Sequence, residues 1–440
     1  MGNRLFDALF AAGADDAPAI ETEARTFTYA ELKRETARYA NTLLALGVKP
    51  GDRVAAQVEK SAENLILYLA TIRAGAAFLP LNPAYTAAEL SFFLADAEPA
   101  LVVLDPARRE AVGAIAAGAR VESLDRGGEG SLAALASGAS ARFDTVERIP
   151  ADLAAICYTS GTTGRSKGAM LSHENLASNV ATLADLWRFT EGDVLIHALP
   201  TFHVHGLFVA THVAMLAGAS MILQPRFDPE AVLAAMPRAT ALMGVPTFYT
   251  RLLAQPGLTR EGAGRMRLFI SGSAPLLAQT HREWAGRAGH AILERYGLTE
   301  TGMNASNPCE GERRAGTVGF ALAGVKLRLV DAAGAAVPRG RVGAVEVKGP
   351  NVFAGYWRAP EKTAEAFRPD GWFITGDLGV IDADGCLAIV GRAKDLIITG
   401  GLNVYPGEVE AALDALPGVV ESAVIGLGHP DLGEAVTAVV

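Results

Sequence analysis

Short apolar stretches alternate with amphipathic stretches through much of the first 300 residues. DRVAAQV, FLPLNP and ALVVLD are typical of buried strands, whereas SAENLILYLATIRAGA and TAAELSFFLADA have the spacing of helices. Thr28 and Glu31 form a capping-box pattern, which predicts a helix from there to about residue 47. Strands alternating with helices indicate α/β units around a largely parallel sheet.

The pattern changes three times along the rest of the chain. Residues 105–150 have weak periodicity, which predicts irregular surface structure, and from 185 to 300 the α/β alternation resumes with VLIHALP, SMILQP, ATALMGVP and RLFISGS. Residues 317–391 predict a small antiparallel β subdomain, because VKLRLVD, GAVEVKG and CLAIVG are separated by turns. We therefore expect an α/β protein with a large domain over 1–391, a small α+β domain over 392–440, and a hinge near 392–395.

Composition and charge limit the classes of function and the cellular location that we expect. Half of the 440 residues are apolar, the net charge is −9, and Cys157, Cys309 and Cys386 stand far apart with no metal-ligand spacing. An acidic chain disfavours non-specific binding to nucleic acid or an anionic membrane. Sparse cysteines, no signal-peptide pattern and no long apolar span predict a cytoplasmic protein. We expect a monomer with a small-molecule substrate.

A polar loop between two apolar strands is the most informative segment. AICYTSGTTGRSKGAMLSH, residues 155–173, contains Thr159, Ser160, Gly161, Thr162, Thr163, Gly164, Arg165 and Lys167. Glycines allow backbone N–H groups to approach an anion, and hydroxyls and cations add further donors. The alternative is a polar surface loop, but so dense a run of small, hydroxylic and cationic residues favours a phosphate site.

This loop resembles the phosphate loop of the adenylate-forming superfamily, which includes the acyl-CoA synthetases. FISGSAPL (269–276), ERYGLTETG (294–302), WFITGDLG (372–379) and GRAKDLIITGGLNVYPGEVE (391–410) match further motifs of that superfamily in the expected order. Five ordered motifs over most of the chain make the resemblance specific. It implies ATP, Mg²⁺ and coenzyme A, and an acyl-adenylate intermediate.

The resemblance also implies roles for individual residues. Lys167 and His203 would lie near the phosphates, Thr299 would donate to the α-phosphate, and Glu300 would bind Mg²⁺. The positions matched to the nucleotide, the hinge and the pantetheine tunnel are Ser273, Ala274, Arg295, Tyr296 (stacked on adenine), Gly297, Asp377 (ribose), Arg392, Lys394 (hinge) and Gly401 (tunnel). Taken alone, several of these are ordinary turns or solvated charges, so their assignment depends on the resemblance.

The identity of the acid is predicted from the residues around its expected pocket. His205, Arg165 and Ser271 indicate a small, anionic acid, because a buried second carboxylate needs polar partners. LPTFHVHGLF, MPRATALMGVPTFYTRLL and ETGMNASNP resemble segments of malonyl-CoA synthetases. Arg238, Arg313 and Arg314 are candidate anchors, although each has the alternative of an ordinary surface arginine. His205 has the alternative of a core histidine.

These features predict an AMP-forming ligase that joins malonate or methylmalonate to coenzyme A. The alternatives are a ligase for another small acid, a stand-alone adenylation domain that serves a carrier protein, and a non-catalytic nucleotide-binding fragment. The sequence ends at EAVTAVV without the Gly-Lys that the family carries further on, so we expect an incomplete small domain and impaired adenylation. A lysine-acylating or deacylating regulator is a further expected partner.

Overall fold

The computed structural model describes residues 2–116, 118–159, 166–399, 402–430 and 432–440. Within these ranges the strands are β1 (Pro18–Glu21), β2 (Thr26–Thr28), β3 (Arg53–Gln57), β4 (Ala77–Pro80), β5 (Leu101–Leu104), β6 (Arg120–Ser123), β7 (Leu153–Thr159), β8 (Lys167–Ser172), β9 (Val194–His197), β10 (Ser220–Leu223), β11 (Ala241–Gly244), β12 (Leu268–Ser271), β13 (Leu293–Leu298), β14 (Gly302–Ser306), β15 (Phe320–Ala321), β16 (Lys326–Val330), β17 (Val342–Lys348), β18 (Phe373–Ile381), β19 (Leu387–Arg392), β20 (Ile397–Thr399), β21 (Leu402–Val404), β22 (Ala423–His429) and β23 (Gly433–Val439).

The α-helices of the same ranges are α1 (Arg4–Leu9), α2 (Tyr29–Ala45), α3 (Ala62–Arg73), α4 (Ala87–Ala97), α5 (Arg109–Gly113), α6 (Ser131–Ser137), α7 (His173–Leu186), α8 (Thr211–Leu216), α9 (Pro229–Ala235), α10 (Pro246–Leu253), α11 (Ala278–Ala288), α12 (Pro360–Ala366) and α13 (Pro406–Asp414). A π-helical turn, His205–Ala210, precedes α8, and short 3₁₀ turns occupy Pro106–Arg108, Met236–Arg238 and Ala393–Asp395.

Two large, mainly parallel sheets contain most of the α/β units. One has the order β6-β5-β3-β4-β7-β8, with β8 antiparallel to β7. The other has the order β15-β14-β13-β12-β11-β9-β10-β1-β2, and its six strands from β13 to β1 run parallel. The carboxyl ends of β9, β12 and β13 therefore lie at one edge of the second sheet, where ligands of such sheets bind.

Two antiparallel sheets of four strands complete the chain. The first has the order β16-β17-β18-β19, and the second has the order β21-β20-β23-β22. The fold class expected from the sequence is thus confirmed, with large parallel sheets followed by small antiparallel ones. β15 is an exception, because it falls in the stretch expected to form the β subdomain but pairs with β14 of the nine-stranded sheet.

Local sequence signals account for many element boundaries. Thr28 caps α2 by accepting from the Glu31 N–H at 3.2 Å, and the Glu31 carboxylate accepts from the Thr28 N–H at 2.9 Å. A cap of this kind contributes about 1 kcal/mol. α7 begins directly after Ser172, as the sequence predicts, with a capping box of Ser172 and Asn175.

Residues 105–150 contain more regular structure than their weak periodicity predicts. β6 is the edge strand of the six-stranded sheet, and Glu122 within it is buried. Its carboxylate contacts Arg120 and Arg109 and accepts from the Ser131 hydroxyl. Strands are predicted from the alternation of apolar and polar residues. β6 lacks that alternation, because one of its buried positions holds a paired carboxylate.

Candidate active site

A cavity of about 440 Å³ lies between α4, the β7–β8 hairpin and the loops that follow β9 and β13. Its lining residues are Tyr85, Glu89, Phe92, Phe93, Tyr158, Thr159, Ser166, His203 and Thr299. Three residues predicted from separate motifs, Thr159, His203 and Thr299, are therefore brought together. The cavity is mixed in character, with aromatic rings from α4 on one side and hydroxyl groups on the other.

Lys167 and Glu300 both contact the side chain of Tyr356. Lys167 is the first residue of β8, and its Nζ lies 4.6 Å from the centroid of the Tyr356 ring. The Tyr356 hydroxyl donates to Glu300 Oε1 at 3.0 Å. The predicted residues Ser160, Gly161, Thr162, Thr163, Gly164, Arg165 and Gly401 lie outside the described residues.

Tyr296, Asp377 and Arg392 form a second polar group at the expected nucleotide position. The Tyr296 hydroxyl donates to Asp377 Oδ2, and Arg392 Nη1 lies 2.9 Å from Asp377 Oδ1. Burial raises the pKa of Asp377 above its usual value, although the tyrosine hydroxyl and the arginine act against that rise. The pair of Asp377 and Arg392 joins β18 to the end of β19, beside the predicted hinge.

Three further residues predicted for the nucleotide site and the hinge are Gly297, Ala274 and Lys394. At Gly297 an added Cβ would overlap the Gly302 carbonyl oxygen, so the position has no room for a side chain. Ala274 is exposed after Ser273. Lys394 is half exposed in the turn Ala393–Asp395, with its Nζ 3.8 Å from Asp395 Oδ1. This is the ion-pair arrangement that the sequence offered as the alternative.

Arg295 is buried beside the loop that follows β12. Its side chain lies over Gly272, where an added Cβ would overlap the guanidinium, and its Nη2 is 3.5 Å from Ser273 Oγ. Ser273 has φ +72°, an unusual conformation for a residue with a side chain, and its Oγ lies 3.3 Å from His205 Nδ1. Ser273 therefore connects the arginine to the histidine.

Three buried polar atoms in this group lack a hydrogen-bond partner among the described residues. They are Arg295 Nε, His205 Nε2 and Ser271 Oγ. Burial lowers the pKa of His205 well below its usual value, and the nearby charge of Arg295 contributes, so this imidazole is neutral at pH 7. Burial lowers the pKa of Arg295 to about 9, which keeps the guanidinium charged. The group can offer a guanidinium, a hydroxyl and an imidazole N–H to an anion.

The three arginines proposed as anchors from the sequence do not reach this group. Arg238 precedes β11, at the opposite edge of the sheet from Ser271, and its Nη1 lies 2.7 Å from Glu21 Oε1. Arg313 donates to the carbonyls of Ala291, Pro308 and Cys309, before the amino end of β13. Arg314 forms ion pairs with Glu312, Asp382 and Asp384. Each of these three arginines therefore has other partners in this structure.

Two features of the site were absent from the predictions. Tyr356, in the segment FAGYW, contacts both Lys167 and Glu300. Phe92, Phe93 and Tyr158 form the aromatic wall of the cavity. A Gly-Tyr pair between two predicted strands is a weak signal for Tyr356, and the α4 aromatics are indistinguishable from core residues in the sequence.

A Mg²⁺ ion bound with ATP would fit the Glu300 carboxylate. The Tyr356 hydroxyl bonds only Oε1, and Oε2 has no hydrogen-bond partner among the described residues. Within those residues no cluster of three or more His, Cys, Asp or Glu side chains could hold a metal by itself. One carboxylate completed by phosphate oxygens and water is how Mg²⁺ is held in nucleotide sites.

Comparison with known proteins identifies the class. Residues 8–357 match the family model of AMP-binding enzymes. A feruloyl-CoA synthase of Amycolatopsis is 38% identical over 96% of this chain and 85% of its own length, and a malonate–CoA ligase of Arabidopsis thaliana is 33% identical over 99% and 78%. ATP-bound MatB from Rhodopseudomonas palustris is 62% identical, with a TM-score of 0.98 over 100% of this chain and 88% of that one.

The chain therefore belongs to the AMP-binding enzyme family, within the adenylate-forming superfamily of acyl-CoA synthetases. This finding confirms the resemblance seen in the five motifs. No helix of the described residues is both long enough and apolar enough to cross a bilayer.

Proposed function

We propose that this chain is an ATP-dependent ligase that joins malonate or methylmalonate to coenzyme A through an acyl-adenylate. The observation that carries the proposal is Arg295, which is 3% exposed and forms no ion pair with an acidic side chain among the described residues. Leaving a buried charge unpaired is costly, and a carboxylate of the substrate would pair with it. The unpartnered atoms of His205 and Ser271 would complete the contacts of that carboxylate.

The second carboxylate of the acid would thus be held at Arg295 while the first faces ATP. Asp377 would accept from the ribose hydroxyls, and the ring of Tyr296 would lie against adenine. An oxygen of the first carboxylate attacks the α-phosphorus, and the bond from that phosphorus to the pyrophosphate oxygen breaks. Lys167 and the Thr299 hydroxyl would stabilise the charge that develops on the phosphoryl oxygens. Mg²⁺ at Glu300 would neutralise further phosphate charge.

In the second step the thiol of coenzyme A releases its proton to solvent and its sulfur attacks the acyl carbon. The bond from that carbon to the AMP oxygen breaks, which leaves a thioester and AMP. His203 lines the cavity together with Thr299, and its proposed place is near the phosphates. We propose 1–391 and 392–440 as domains, with Lys394 as the hinge that lets the smaller one serve both steps.

A ligase for an aromatic acid is the second candidate, because a feruloyl-CoA synthase is among the relatives and aromatic rings line the cavity. An apolar acid would leave the Arg295 guanidinium buried and unpaired. Such a mismatch is the kind that polar sites reject strongly.

The proposal is tested by CoA-dependent AMP formation with malonate, methylmalonate, acetate and ferulate at equal concentrations. We expect the highest kcat/KM with malonate or methylmalonate, by at least about a hundredfold over the two monocarboxylates. A preference for ferulate would favour the second candidate. A preference for acetate would remove the role proposed for Arg295.

A further inference from the structure

A single segment connects the two parts of the proposed ATP site. This bridging segment, residues 351–357, is hydrogen-bonded on one side to the turn that carries Glu300. The Phe353 N–H donates to the Glu300 carbonyl at 2.8 Å, and Asn351 Nδ2 donates to the carbonyls of Thr301 at 2.8 Å and Met303 at 3.2 Å. The turn between β13 and β14 is thereby fixed to the bridging segment.

The other side of the bridging segment is bonded to β8, the strand that begins at Lys167. The Trp357 N–H donates to the Gly168 carbonyl at 2.7 Å. The Ala354 N–H donates to the Met170 carbonyl at 3.1 Å, and the Met170 N–H donates to the Gly355 carbonyl at 3.0 Å. β8 and β13 belong to different sheets, and the bridging segment is hydrogen-bonded both to the strand that carries Lys167 and to the turn that carries Glu300.

Tyr356 is the side chain of this segment that contacts both functional residues. It is 7% exposed, its hydroxyl donates to Glu300 Oε1, and its ring faces the Lys167 ammonium. A lysine and a glutamate that contact the same side chain could otherwise form a direct ion pair, which would occupy the groups that ATP and Mg²⁺ need. The hydroxyl uses one carboxylate oxygen, and the ring attracts the ammonium without binding its protons to an oxygen.

We infer that Tyr356 is a positioning residue that keeps Lys167 and Glu300 apart and oriented, so that one binds phosphate and the other binds the cation. The inference deepens the proposed function and rests on it for the roles of Lys167 and Glu300. Tyr356 itself does not touch the reacting atoms. Tyr356 therefore affects the binding of ATP with Mg²⁺, and this effect does not depend on which acid is used.

The test compares Tyr356→Phe with the parent by calorimetric titration of ATP, once with excess Mg²⁺ and once with EDTA. Phenylalanine keeps the ring beside Lys167 and removes only the hydrogen bond to Glu300. We expect ATP affinity with Mg²⁺ to fall about tenfold, which is the usual weight of such a bond, while affinity in EDTA stays within about twofold. In steady state, the KM for ATP should rise while the KM for the acid is unchanged.

Two further variants separate this role from general damage. Tyr29→Phe removes a buried hydroxyl that donates to the Ala219 carbonyl far from the site, and it should leave both ATP affinities unchanged. In a Glu300→Gln background, Tyr356→Phe should have no additional effect on the Mg²⁺-dependent affinity. An unchanged Mg²⁺-dependent affinity in Tyr356→Phe, or an equal loss in EDTA, would overturn the inference alone. A parent that gains no ATP affinity from Mg²⁺ would overturn both the inference and the proposed function.

Discussion

At the residue scale, Arg295 explains most of what is distinctive about the site. A guanidinium buried without a carboxylate loses hydration and gains little in return, so its presence requires a compensating role. Gly272 leaves the space in which the guanidinium lies, and the positive φ of Ser273 places a hydroxyl between Arg295 and His205. Local strain of this kind is tolerated where surrounding structure fixes it, and it often marks binding sites.

Glu294, the neighbour of Arg295 in β13, gives a prediction about pH. It is buried, and burial raises its pKa to about 8, with the Gly316 N–H at 3.3 Å opposing the rise. The folded chain therefore holds a proton that the unfolded chain releases near pH 4.5. The stability that this proton confers is complete below pH 4.5 and is lost as pH rises towards 8.

Replacing Glu294 by Gln should accordingly stabilise the protein in a pH-dependent way. The difference in free energy of unfolding between Glu294→Gln and the parent should grow from pH 4.5 to 8, reaching on the order of 2–5 kcal/mol. Chemical denaturation at several pH values measures it. Glu283→Gln, at an exposed position of α11, is the matched control and should show a flat difference. A flat profile for Glu294→Gln would mean that the carboxyl is ionised in the folded protein.

At the element scale, the π-helical turn His205–Ala210 places His205 in the site. The Gly206 carbonyl accepts from His197 Nε2 at 2.9 Å and from Thr211 Oγ1 at 3.0 Å, and Lys60 Nζ lies 2.9 Å from His197 Nδ1. Burial lowers the pKa of Lys60 well below its usual value. This buried polar chain supports the turn through the Gly206 carbonyl. Turns of this type are often found at functional sites.

Gly206→Ala should disturb that turn and weaken acid binding selectively. An added Cβ would overlap the Pro200 carbonyl oxygen, so the backbone that carries His205 must move. We expect the KM for malonate to rise about tenfold or more and the free energy of unfolding to fall by about 1–3 kcal/mol, with ATP affinity retained. Gly286→Ala, in α11 with open space around its Cβ, should leave the KM unchanged and raise stability slightly. An unchanged KM for malonate in Gly206→Ala would contradict a role of this turn in acid binding.

At the scale of the whole molecule, the sequence predicted the fold well because its elements have strong local signals. α2 begins at its capping box, and β9 to β12 are short, mainly apolar strands that are soon followed by Gly, Pro or Ser. The π-helical turn and β6 were not predicted from the sequence. The turn depends on a hydrogen bond from the His197 side chain to the Gly206 carbonyl. β6 has a paired carboxylate, Glu122, at a buried position; neither feature produces a periodic apolar pattern.

The site was predicted only in part, for a reason of geometry. Motifs indicate which residues meet near ATP, but they do not show which end of a strand an arginine occupies. Arg238 stands before the amino end of β11, and Arg313 contacts a carbonyl before the amino end of β13, whereas Arg295 lies beside the loop that follows β12. The motif assigns Arg295 to the nucleotide, whereas our proposal assigns it to the acid because it is buried and lies beside unpartnered polar atoms.

The central claim is that a charged second carboxylate pairs with Arg295. The most direct measurement is the ratio of kcat/KM for malonate to that for malonamate, its neutral amide counterpart of nearly equal size, in the parent and in Arg295→Met. We expect a ratio of at least about a hundred in the parent, falling to near one in Arg295→Met, because loss of a buried charge pair costs several kcal/mol. Arg251→Met, at an exposed position of α10, should keep the parental ratio. A parental ratio near one, or a ratio that survives in Arg295→Met, would contradict the account.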